Sequence, residues 1–88
     1  MRPAVGRFLD RGPLERLPRR TADRLEVLDH VARHVLSTDE DVDEPELNLR
    51  LRRFTDDAAM LRRALVDHGF VSRLPEGTGY RRAGPARL

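Results

Sequence analysis

The 88-residue chain contains no cysteine, and every one of its 17 basic side chains other than histidine is arginine. Without cysteine there is no disulfide, no thiolate to ligate zinc and no thiol nucleophile. That usage fits the cytoplasm. No apolar run approaches the roughly 20 residues of a membrane-spanning helix, so no membrane is expected. The opening MRPAVGRFLDRG has no apolar centre of a secretion signal. A glycine-rich phosphate loop and a Ser/His/Asp set are also missing. The sequence therefore predicts no enzyme, no catalytic residue and no cofactor. Tyr80 is the single tyrosine, a poor stacking platform for RNA.

A chain this short forms one small domain with a thin core. We place it at residues 8–82, between flexible ends at 1–7 and 83–88. The formal net charge of +2 hides a segregation. Residues 39–46 carry six acids (Asp39, Glu40, Asp41, Asp43, Glu44, Glu46) and no base. The rest of the chain sets 17 arginines against the other nine acids, a net of +8. Such a body attracts polyanions. Arginine's planar fork suits phosphate and guanine. Uniform arginine also follows from a GC-rich coding sequence, which better explains its use at merely solvated positions.

Spacing then divides the chain. Leu14 and Leu17 suggest a short strand after the turn at Gly12-Pro13, ended by Pro18. Helix one is predicted over residues 21–36. Thr21 is its N-cap, and Leu25, Leu28, Ala32, Val35 and Leu36 form the apolar stripe, widened by Val27 and Val31. The acidic residues up to Pro45 read as a loop, with Asp43 or Glu44 at the positive end of helix two. Helix two is predicted over 45–54, with Leu47, Leu51 and Phe54 inward and Glu46 paired with Arg50. Thr55 or Asp56 caps helix three, whose core is Ala58, Leu61 and Leu65. Gly69 closes it as a left-handed cap. Phe70, Val71 and Leu74 begin a strand, and Tyr80, Arg81 and Arg82 pair back as a hairpin. The fold class is α+β, mainly α: a winged helix-turn-helix of three helices and a small β-hairpin.

The same residues resemble a bacterial family called domain of unknown function 2087. The resemblance runs from Phe8-Leu9-Asp10, Gly12, Leu14 and Leu17-Pro18-Arg19, through Val27-Leu28 and Val31-Ala32, to Glu46-Leu47-Asn48. It continues at Asp57, Leu61-Arg62-Arg63, Leu65-Val66-Asp67, Gly69-Phe70 and Arg73, and ends at Tyr80-Arg81-Arg82. The Asp followed by Leu-Arg-Arg is its most specific part. Arg19 and Arg24 stand where the family often has lysine, and the segment before Glu46 is more acidic and lacks an aromatic often found there. The family occurs alone and at the C-terminus of arsenic-repressor-type transcription regulators. The resemblance thus implies a winged-helix-like fold and a regulatory setting, with no biochemical activity attached.

These readings converge on duplex DNA as the partner, with Arg50, Arg53, Arg62, Arg63, Arg73, Arg81 and Arg82 as the binding residues. Arg63 points directly outward from helix three, but Asp56 and Asp67 share that face, which disfavours deep insertion into a groove. Arg62 or Arg63 has a competing structural role, pairing with an acid such as Asp57. Arg73, Arg81 and Arg82 would hold phosphate from the wing, with Arg50, Arg52 and Arg53 flanking helix three. The alternative is a protein-interaction or self-association module of the same fold, using Ala59, Met60 and Val66 as an outward apolar patch. Asp23, His30 and His34 line one face of helix one, but a solvated face explains them better than a metal, and no metal is expected. His68 reads as a cation at the negative end of helix three. The acidic run lacks the spacing of a calcium loop. The readings open to it are a solvated loop, a polyanion mimic, a cation site and a counter-charge to the basic body.

Overall fold

A computed structural model describes residues 13–83. The elements follow in the order α1 (Thr21–Val35), β1 (Asp41–Val42), α2 (Glu44–Leu51), α3 (Ala58–Asp67), β2 (Val71–Arg73), a 3-10 turn (Pro75–Gly77) and β3 (Tyr80–Arg82). The expected flexible end at 1–7, the Phe8–Gly12 part of the resemblance and residues 84–88 lie outside the described residues.

Helix α1 buries Val27, Leu28, Val31, Ala32 and Val35. Leu25, expected in that stripe, is instead 37% exposed. It stands roughly 90° from the centre of the buried face at 100° per residue, near the thinly covered N-terminal end. Thr21 is not the N-cap. Arg20 holds that position and makes no side-chain cap bond. Arg24 ties this end down, donating to the carbonyl oxygens of Pro18 and Arg19 at 3.1 and 3.0 Å.

Asp43 caps α2, accepting the Glu46 N–H at 2.9 Å. Pro45 sits in the first turn, where a missing N–H breaks no bond. The helix stops at Leu51, short of the expected Phe54. The next three residues turn, and the Phe54 and Thr55 N–H groups both return to Leu51 O. Phe54 lies half-buried against the core.

Neither expected residue caps α3. Asp57 does, accepting the Met60 N–H at 3.1 Å. Thr55 is 1% exposed. It donates its hydroxyl to Leu14 O at 2.6 Å and accepts the Asp57 N–H at 3.0 Å. Leu14 N–H also bonds Phe54 O. The strand expected around Leu14 and Leu17 is thus a single parallel bridge, Leu14 to Thr55. It fastens the segment before α1 to the turn between α2 and α3. At the other end Gly69 has φ +84°. Phe70 N–H reaches Leu65 O and Gly69 N–H reaches Val66 O, which closes α3 as a Schellman motif.

The expected hairpin forms, and it gains a third strand. The sheet order is β1-β3-β2, antiparallel throughout. Asp41 pairs with Arg81 and Val42 with Tyr80, so the presumed acidic loop contributes an edge strand. The helices and this sheet share one core, in which Leu28, Leu36, Leu47, Leu51, Leu61, Leu65 and Val71 are essentially inaccessible. The architecture is α+β, mainly α, and winged-helix-like, with α2 and α3 as the helix-turn-helix. Among the described residues no helix is long and apolar enough to cross a membrane.

Gly79, just before β3, lies so near β1 that a Cβ there would run into Val42 O. Gly79→Ala is therefore expected to destabilise the fold by about 1–3 kcal/mol, the usual cost of forced overpacking. Urea unfolding checks this. An unchanged midpoint would show that the edge strand yields without cost.

Candidate nucleic-acid interface

The arginines expected to bind DNA divide into two groups. Arg50, on α2, points to the end of α1. Its Nε donates to Glu46 Oε2 at 2.9 Å, its Nη1 to Glu40 Oε1 at 2.9 Å and Val35 O at 2.8 Å, and its Nη2 to Glu40 Oε2 at 2.9 Å. Glu40 also accepts the Ser37 N–H at 3.1 Å. The fork from Arg50, then the Ser37 N–H, holds the Glu40 carboxyl down at about 2 against an ordinary 4.5. The same bonds raise Arg50 further above its ordinary value.

Arg62 faces α2 from α3. Its Nη1 donates to Asn48 Oδ1 at 2.5 Å, and its Nη2 lies 3.7 Å from Glu44 Oε2. The other Glu44 oxygen accepts the Tyr80 hydroxyl at 2.9 Å. Burial, then that bond, raises the Tyr80 pKa. Arg81 forks onto Asp41 across the β1–β3 pair at 2.6 and 3.1 Å, which lowers the Asp41 pKa. Arg82 donates to Leu36 O at 3.2 Å and Thr38 Oγ1 at 2.8 Å. With Arg50 on Val35 O, it satisfies carbonyls at the C-terminus of α1. These four arginines hold the fold. Glu40, Asp41, Glu44 and Glu46 are their counter-charges and Asp43 is a helix cap, so most of the acidic run is internal structure.

Arg53, Arg63 and Arg73 form the second group, and all three are exposed. Arg63 has no partner among the described residues. On α3 it shares its exposed row with Ala59 one turn before and Asp67 one turn after. Asp56, also exposed, precedes the helix. Arg73 carries its guanidinium 5.9 Å above the Tyr80 ring, on strand β2 and not at the hairpin tip. Arg52, at the end of α2, is exposed and without a partner among the described residues. Arg53 lines a separate cleft between α1 and α2.

Two expectations change. Asp57 is exposed and caps α3; Arg62 is locked as anticipated, but by Asn48 and Glu44. Ala59 is exposed, but Met60 and Val66 pack half-buried on the core and make no outward patch. Among the described residues the large apolar side chains left exposed are Leu25 and Leu49, at 37% and 60%. The His68 ring lies at the end of α3, with Nδ1 3.0 Å from Ala64 O and Nε2 3.3 Å from Arg24 Nε. His30 and His34 stack at 4.1 Å between centroids, with the Phe54 ring set edge-on to both.

A model of the bacterial family described as "Uncharacterized protein conserved in bacteria (DUF2087)" matches residues 13–82. No curated protein and no solved structure matches the chain.

The depressed Glu40 carboxyl sets a pH dependence. A carboxylate held below its unfolded value stabilises the fold above about 4.5 and loses that contribution as pH falls toward about 2. Asp41 acts in the same direction. The melting temperature is expected to fall as pH drops through this window. Glu40→Gln should start lower and fall less. Parallel profiles for the two proteins would mean that the Arg50–Glu40 fork contributes nothing.

Proposed function

The chain belongs to the bacterial family DUF2087, and we propose that it binds duplex DNA through phosphate contacts made by arginines its fold leaves without a carboxylate or carbonyl partner. Arg63 on α3, Arg73 on the wing strand and Arg52 at the turn before α3 carry the contacts. Arg50, Arg62, Arg81 and Arg82 act one step back, by fixing the elements that present them. The observation behind this reading is Arg63. It stands at the centre of the exposed row of the helix that enters the major groove in winged-helix proteins, with small Ala59 beside it and no partner among the described residues.

Asp56 and Asp67 flank that row and repel phosphate, so α3 sits shallowly and the backbone supplies most of the affinity. The resulting binding is weak, strongly salt-dependent and only modestly selective. Such a module works as a binding part of a bacterial transcription regulator in the cytoplasm and does no chemistry of its own.

Titration of a generic duplex at several low salt concentrations tests this. Each phosphate contact contributes about one unit to the slope of log K against log salt. Arg63→Ala and Arg73→Ala are each expected to weaken binding and flatten that slope by about 1. Arg81→Ala should lower thermal stability and leave the slope alone. Undetectable binding at low salt, or a slope indifferent to both Arg63 and Arg73, refutes the reading.

A further inference from the structure

We propose that the cleft between the end of α1 and the outer side of α2 docks an acidic segment of a partner protein, with one leucine-sized side chain flanked by carboxylates. The cleft measures about 470 Å³, within the range of formed binding sites. Arg33 and His34 line it from α1; Leu49 and Arg53 line it from α2 and the turn beyond. Glu40, Glu46 and Arg50 line it as well.

The polar groups still available decide what the cleft can take. Both Glu40 oxygens accept from Arg50, as does one Glu46 oxygen. Val35 O accepts from Arg50 and Leu36 O from Arg82. The acceptors around the cleft are therefore largely occupied, and Arg33, Arg50 and Arg53 outnumber its two acids. The donors are not. Arg53 has no side-chain partner among the described residues. Arg33 uses Nε on Asp29 in a surface pair at 3.1 Å, which leaves its terminal nitrogens. An i,i+4 pair of this kind contributes only a few tenths of a kcal/mol and yields readily to a better-placed carboxylate. A cleft with guanidinium donors to spare and its acceptors engaged takes an anion.

Leu49 adds the apolar half. It is 60% exposed and lines the same cleft as Arg33 and Arg53. A lone surface leucine is ordinary; one that lines a concave cleft together with two arginines is a pocket contact. His34 stiffens the opposite wall. It is stacked on His30, edge-on to Phe54 at 6.4 Å, and donates Nδ1–H to His30 O at 2.8 Å. Duplex DNA offers no apolar side chain for Leu49, so the mixed character favours a polypeptide. This inference does not depend on the DNA reading, which uses Arg63 and Arg73.

The test uses the full chain and three labelled peptides of one length, followed by fluorescence anisotropy. The first carries a central leucine among glutamates, the second serine in place of leucine, the third lysine in place of glutamate. The first should bind, with the other two at least tenfold weaker. Leu49→Ser and Arg53→Glu should each weaken the first peptide at least tenfold, with melting temperatures near that of the unaltered chain because both side chains are exposed. Leu49→Ser should leave duplex binding unchanged, while Arg63→Ala leaves peptide binding unchanged. No binding of the first peptide overturns the proposal. So does equal binding of the serine peptide, or affinity indifferent to both variants.

Discussion

The guanidinium of Arg50 is the joint on which this fold turns. It meets a main-chain carbonyl at the end of α1, a carboxylate just before β1 and another in the first turn of α2. Three elements that share no continuous hydrogen-bond ladder are thereby set against one another. Only arginine can do this, because its planar fork reaches three acceptors at once in fixed directions. The joint is about one-quarter exposed, so its contribution is more geometric than energetic. It delivers the chain into β1 in register with β3. Arg81 on Asp41 and Arg62 on Glu44 continue the same pattern at the sheet and at the α2–α3 contact.

The charge segregation in the sequence follows from this. The acidic run and the basic body are two halves of one internal arrangement. Of the six acids, four answer arginines and Asp43 caps a helix. The two surfaces proposed for partners, the α3–wing side and the α1–α2 cleft, are smaller than the arginine count suggests. On the α3 side Asp56 and Asp67 offset Arg63. On the proposed DNA reading, this balance makes phosphate contact the main source of affinity and leaves little for base reading.

Much of the fold was legible because its signals are local. The three helices follow from spacings of three and four, Gly69 from the need for positive φ after Asp67-His68, and the hairpin from turn residues between two short runs. Strand β1 was not legible. It is two residues long, and its partner Arg81 is 40 positions away. Thr55 looked like a cap because its type suits one, but a residue 41 positions away claims its hydroxyl. Leu25 fits the helical period yet lies off the centre of the buried face. The candidate interface was legible only as a pool of arginines. A paired arginine and an unpaired one look the same in sequence, since the acids that distinguish them come from elements joined only by folding. Arg62 beside Arg63 shows this: adjacent in the chain, one is locked between Asn48 and Glu44 and the other faces outward.

The acidic run is bound within the fold through Arg50, and a carbon-detected NMR titration of the Glu40 side-chain carboxyl measures that bond. The expected midpoint is about 2 in the unaltered chain, returning toward 4.5 in Arg50→Met. A Glu40 midpoint of 4.5 with Arg50 in place would contradict it.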